Sequence, residues 1–415
     1  MKHLPAILSA WFLFAGLLPA NPAATSVNTF GLDLHRRLSA GGGNLVVSPW
    51  SIQSALAMTW AGAAGATREE MSRVLHFSGA ELALHEGFAR LAADLAGLQE
   101  KSIGGPAGAE KDAEGARRLE INTANRLFGE ESYPFLESFL KFTDEQYGAP
   151  LERLSFRNNP GEGRQKINGW VAAQTKNRIR DLVPPGVIDK DTRLVLVNAI
   201  YLKAPWAAVF DEEPGFPFHV GGGDAVKVPG LVRTVQAGFL KIPEGVAITI
   251  PYTGGGLHFL LMVPDRKDGL AELEQKLDPR ILAEAAKAPQ KEIRLRLPSF
   301  KLEPSRVMLR DELVKMGITS AFDIPEGSAD FSKIAPVKPD DYLFISQVIH
   351  QAFVSVDKHG TEAAAAKAVV MPRVTSLPVD PPEPLEIRVN RPFAFAIQHS
   401  ASGACLFLGR VSDPR

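Results

Sequence analysis

Residues 357–397 read DKHGTEAAAAKAVVMPRVTSLPVDPPEPLEIRVNRPFAFAI, and two halves of different character meet inside them. Thr361 to Ala368 is nearly all small; Ala363 to Ala366 favour helix by propensity, yet the run is too short for an isolated helix to hold in water. The second half carries Pro372, Pro378, Pro381, Pro382 and Pro384, which forbid helix and keep the chain extended and exposed. A surface helix followed by a Pro-rich loop accounts for this composition. The same residues also suit a strand that slides between two others, because Gly360 is a permissive pivot and Thr361, Ala363 and Ala365 put small side chains on one face. Such an insertion would complete a ladder of backbone hydrogen bonds and give one sequence two packings.

Working outward, Gln351 to Val356 is strand-like, and further β-type runs lie at Arg193–Leu202, Val246–Pro251, Leu257–Val263, Ile293–Leu297 and Tyr342–Val356. Turn-rich pieces such as Thr253–Gly256 join them, and helical stretches are expected at Arg164–Arg180, Leu270–Ala286 and Arg306–Met316. Nearer the N-terminus, Leu32, Leu34 and Leu38 recur at helical spacing before the Gly41–Gly43 break. Ser48-Pro49 then opens a helix carrying Ile52, Leu56 and Met58. Residues 101–118 are polar and Gly/Ala-rich, a surface excursion with core sequence on both sides. No repeat of fixed period appears, so one intertwined α+β domain is expected.

Lys2 and His3, the apolar run Leu4–Leu18, and the small residues Ala20, Ala23 and Ala24 have the form of an export signal. The boundaries expected are a signal over 1–23 and a single domain over 24–415. The apolar run is shorter than the roughly 20 residues a spanning helix needs. With 45% hydrophobic residues, 22% charged residues and a net charge of -1, nothing marks the chain as disordered or as a binder of nucleic acid or membrane, so a protein partner is expected. Cys405 is the only cysteine, which leaves stability to the core, and its neighbours mark it as an inert strand thiol. Catalytic signatures are missing: there is no H-E-x-x-H, C-x-x-C, G-x-S-x-G or phosphate-binding loop, and the nine histidines lack metal-ligand spacing. The chain is expected to be no enzyme, to need no cofactor or metal, and to be a monomer.

The hinge stretch Gly360, Thr361, Glu362, Ala363, Ala364, Ala365 and Ala366 resembles that of the serpins, the serine-protease-inhibitor family. Further blocks agree in order: Asn44–Ile52, Asn122–Phe128, Leu196–Trp206, His350–Phe353 and Asn390–Phe393. The resemblance implies an α+β serpin fold with three β-sheets, eight or nine helices and an exposed reactive-centre loop, here about residues 358–384. It also implies a suicide substrate: a protease cleaves the loop, the freed hinge inserts into the central sheet, and the acyl-enzyme is trapped. By the same resemblance Ser48, Ser51, Asn198 and His350 form the polar shutter where the central strands part, and Trp206 sits at the breach where the hinge enters.

Two departures stand out. Counting alternate residues from Thr361 gives Ala363, Ala365 and then Lys367, where the family has an uncharged residue, and a lysine carried under the sheet loses hydration. Lys367→Thr is therefore expected to raise inhibitory efficiency. Lys358 replaces an acidic residue and Ser299 the matching base, so that ion pair is expected to be absent. The family interval places the reactive bond at Val374–Thr375, suited to an elastase-like serine protease, whereas Arg373–Val374 suits a trypsin-like one; both registers stay open, as does a cysteine protease as target. A non-inhibitory serpin-fold binding or carrier protein is the alternative.

Overall fold

The computed structural model describes residues 21–103, 119–302, 306–338, 341–361 and 383–415. Residues 1–20 of the segment 1–23 expected to be a signal, most of the 101–118 excursion and most of the loop lie outside them. Among the described residues the helices are α1 (Pro22–Ser39), α2 (Pro49–Ala61), α3 (Gly65–Val74), α4 (Glu81–Ile103), α5 (Glu137–Tyr147), α6 (Pro160–Gln174), α7 (Leu270–Lys276), α8 (Pro279–Ala285) and α9 (Arg310–Met316).

α2 begins where Ser48 and Pro49 indicated: the Ser48 side chain accepts from the Ser51 N–H and Pro49 takes the first turn. It is buried on every face, so it runs through the interior as a core helix. α1 starts earlier than expected. Asn21 caps it, accepting from the Ala23 N–H at 3.0 Å and donating to the Gly87 carbonyl at 3.1 Å, and Ala23 and Ala24 are buried. Asn21 to Ala23 are thus part of the folded body.

The central sheet contains β2 (Glu120–Glu130), β3 (Glu152–Leu154), β4 (Leu194–Pro205), β10 (Phe300–Leu302), β11 (Val307–Met308), β12 (Ile345–Ala352), β13 (Val354–Asp357) and β14 (Gly360–Thr361). The other strands are β1 (Leu45–Val47), β5 (Asp211–His219), β6 (Ala225–Ile242), β7 (Gly245–Pro251), β8 (Leu257–Pro264), β9 (Gln290–Pro298), β15 (Leu385–Arg388), β16 (Phe393–His399) and β17 (Cys405–Val411). Among the described residues they form one nine-stranded hydrogen-bonded sheet in which the long β6 joins two parts: β5 pairs along its first half, β7 along its end, and β9 on its other edge. Alternation along β4 separates two cores. Leu194, Leu196, Ile200, Leu202 and Ala204 face the main core, while Val195, Val197 and Ala199 pack with Ile167 and Val171 of α6.

Three helical expectations change. The Arg164–Arg180 stretch is helical only to Gln174, because Lys176 and Asn177 take positive φ and turn the chain out. The Leu270–Ala286 stretch splits at Asp278-Pro279, where Asp278 caps a new helix. In Arg306–Met316, Val307 and Met308 pair with β12 before α9 begins. The Tyr342–Val356 run also divides, at Phe353, and that break positions the site.

Candidate functional site

β4 and β12 run parallel and paired from Leu194 and Ile345 up to Ile200 and Ala352. Beyond that they part: β4 continues to Pro205, whereas the chain after Phe353 continues as β13 with Val356 paired to Phe300 of β10. β14 occupies the opening. Thr361 aligns with Val356 and Gly360 with Asp357 on one side, and Thr361 aligns with Ala204 and Gly360 with Pro205 on the other. The first two residues of the quoted hinge therefore already form a short middle strand.

The turn that delivers them is closed by Asp357, whose Oδ1 accepts from the N–H groups of His359 at 2.7 Å and Gly360 at 3.2 Å. Trp206 holds it from the other side. Its backbone N–H donates to the His359 carbonyl and its Nε1 to the Asp357 carbonyl, both at 2.9 Å. The indole stacks on Tyr252 with ring centroids 4.7 Å apart, and the Tyr252 hydroxyl meets Thr361 Oγ1 in a fully buried contact. Burial pushes the Tyr252 phenol up, so it remains a protonated partner.

Gly360 has φ 152°, and a Cβ there would lie 2.2 Å from the Ala204 carbonyl oxygen and 2.7 Å from Pro205 Cα. Both obstacles are backbone, so no side chain can yield. Gly360→Ala is expected to cost about 2 kcal/mol, the scale of one strained backbone position, and to push β14 out of the opening. A thermal midpoint a few degrees lower and loss of hydrogen-exchange protection at the Thr361 amide would check this; wild-type protection would refute the steric argument.

Below the opening lie the predicted shutter residues, all fully buried. The Ser48 N–H donates to His350 Nε2 at 3.0 Å, and the Ser51 hydroxyl donates to Asn125 Oδ1 at 2.6 Å. Asn198 of β4 aligns with Asn125 of β2 on one side and His350 of β12 on the other. Burial holds His350 neutral, its pKa down to about 3, which leaves Nε2 free to accept. The Asn198 side-chain amide has no hydrogen-bond partner among the described residues.

The ion pair between positions 358 and 299 is absent, as the residue types there imply. Lys358 pairs elsewhere: its Nζ reaches Glu212 Oε1 at 2.6 Å and holds that carboxyl below its usual range. Ser299 instead donates its hydroxyl to the Val356 carbonyl at 2.9 Å. The partner of Lys358 is thus a carboxylate on β5, distant in sequence. Asn125, Tyr252 and Glu212 act through contacts that only the folded sheet creates, whereas Asp357 acts locally, on N–H groups two and three residues ahead of it. Glu362, Ala363, Ala364, Ala365, Ala366, Lys367, Arg373, Val374 and Thr375 lie outside the described residues.

Among the described residues no cluster of three or more His, Cys, Asp or Glu is placed to hold a metal. Cys405 is buried, and desolvation pushes its thiol up, so it is no nucleophile. What the arrangement offers is mechanical: a parallel strand pair with an opening at one end and the tip of a third strand already seated there.

A family model described as Serpin (serine protease inhibitor) matches residues 25–414. The leukocyte elastase inhibitor of Bos taurus is 36% identical over 404 residues, covering 94% of this chain and 99% of its own. The chain is also similar in structure to uncleaved ovalbumin, with TM-score 0.77 and 26% identity over 94% of this chain and 100% of that one. Human thyroxine-binding globulin in complex with its hormone matches with TM-score 0.77 and 25% identity, over 94% of this chain and 98% of that one.

Proposed function

From the premise that the chain belongs to the serpin family, whose members are described as protease inhibitors rather than enzymes, we propose that this protein is an exported suicide-substrate inhibitor of a serine protease. The observation that carries the reading is β14, seated between β4 and β13 with its strand direction already set for continuation.

In the proposed reaction the protease serine Oγ attacks the carbonyl carbon of the reactive residue in the loop. The peptide bond breaks, the new α-amine departs with the C-terminal segment, and an ester joins inhibitor to protease. Residues after Thr361 then enter between β4 and β12, and the attached protease is carried along before water can cleave the ester. Inhibition depends on insertion outrunning hydrolysis. Ser48, Ser51, Asn198 and His350 sit where those strands must separate, and Trp206 steadies the turn from which insertion starts.

The name of the bovine relative favours an elastase-like target and the Val374–Thr375 bond; Pro372-Arg373 keeps Arg373–Val374 as the trypsin-like register. Incubation with elastase-like and trypsin-like serine proteases is expected to give a covalent, detergent-resistant complex. Mass spectrometry of the released peptide should read a new N-terminus at Thr375 in the first register and at Val374 in the second. Plain cleavage without a complex would instead support a non-inhibitory binding or carrier protein, the reading that Lys367 favours. Export is proposed with the leader ending before the capped helix, and the mass of mature protein should begin at Asn21.

A further inference from the structure

A cavity of about 610 Å³ opens beside the hinge turn, walled by β5 and β6 on one side and by Asp357–His359 on the other. That volume lies within the roughly 300–1,000 Å³ range of small-molecule sites. Pro214, Val228 and Leu231 give it an apolar lining, with Val228 and Leu231 buried. The charges around it are unequally committed. Asp357 is engaged by the backbone of the turn, and Glu212 is paired with Lys358. Lys227 lines the same cavity, is exposed and has no carboxylate partner among the described residues; its stem lies near Gly215, 3.8 Å from where a Cβ would stand. Asp357 keeps its charge but has Oδ1 occupied by the turn, Glu212 is taken up by Lys358, and Lys227 is the lysine of the lining left without a carboxylate partner among the described residues.

We propose that this cavity binds a small amphipathic organic anion, a medium-chain carboxylate in size, with its apolar body against Pro214, Val228 and Leu231 and its head group on Lys227. Lys227 pairs with the incoming carboxylate, while burial of the chain supplies most of the affinity. The Glu212–Lys358 pair shows the same chemistry in resident form, a carboxylate seated on a lysine at the mouth of the cavity. Glu212 also repels the incoming head group and occupies a second cation. The two residues make opposite predictions.

Titration of the full-length protein with decanoate, followed by calorimetry, is expected to show saturable one-to-one binding, whereas decyltrimethylammonium shows none. Lys227→Glu should weaken decanoate binding about tenfold, the scale of losing and reversing one partly exposed ion pair, and Lys227→Arg should restore it. Glu212→Gln should tighten binding severalfold, a gain that a misfolded variant would not give. Absence of saturable binding, equal binding of the cationic probe, or unchanged affinity in Lys227→Glu would each overturn the proposal. No protease enters this measurement, so its outcome is separate from that of the trapping experiment.

Discussion

Cleavage of the loop between Met371 and Ser376 by a protease that the protein does not trap is expected to raise the thermal midpoint by roughly 20 °C. The reason lies in the strand count. Intact protein pairs β4 with β12 at seven positions in a parallel ladder, and only Gly360 and Thr361 intervene above it. Once the loop is free, each inserted residue replaces that single ladder by two antiparallel ones, which are slightly more stable per residue. The net gain is about a dozen backbone hydrogen bonds at about 1 kcal/mol each, and in a large domain 1 kcal/mol moves the midpoint by about 2 °C. The intact chain is denied this state because the loop's far end is tied to β15, parallel to β9 in another sheet. Scanning calorimetry of intact and nicked material decides the matter. A nicked protein melting no later than the intact one would remove the trap mechanism, whatever the family.

How far this was legible in sequence depends on the range of the interaction concerned. Ser48-Pro49 specified the start of α2 because a cap and a first-turn proline act within four residues. Asp278-Pro279 carried the same signal inside the Leu270–Ala286 stretch, where helical spacing on both sides hid it. The division of Tyr342–Val356 at Phe353 had no local sign. That run is uniformly strand-like, and it breaks because its lower half pairs with β4 while its upper half pairs with β10 and β14. Gly360 could be picked out as a pivot, but its obstacle, the Ala204 carbonyl, lies on another strand. The Lys358–Glu212 pair joins residues 146 positions apart, and neither residue type nor spacing selects that partner.

Lys367 becomes intelligible through the register of β14, and the resulting prediction is a coupled one. Thr361 aligns with Ala204 in an antiparallel pair, so each step onward along the loop is one step back along β4. Six steps carry Lys367 to Asn198, and an even number of steps keeps it on the buried face that Thr361 occupies. Asn198 is the one shutter side chain whose amide has no partner among the described residues, beside Asn125 and His350. An ammonium arriving there would meet an idle Oδ1 acceptor, which lessens the desolvation cost that made this lysine look prohibitive.

Asn198→Leu should therefore leave intact protein as stable as before or more so, since it removes an unsatisfied buried amide. It should nevertheless lower the fraction of protease trapped at least tenfold, because a buried cation without a partner costs about 3 kcal/mol or more. In a Lys367→Thr background the same substitution should have little effect on trapping, and Lys367→Thr alone should raise it modestly. The stoichiometry of inhibition in all four proteins forms a double-mutant cycle. Additive effects would place Lys367 away from Asn198 and would break the register argument, whereas strong coupling would identify the shutter as the seat this chain provides for its own hinge lysine.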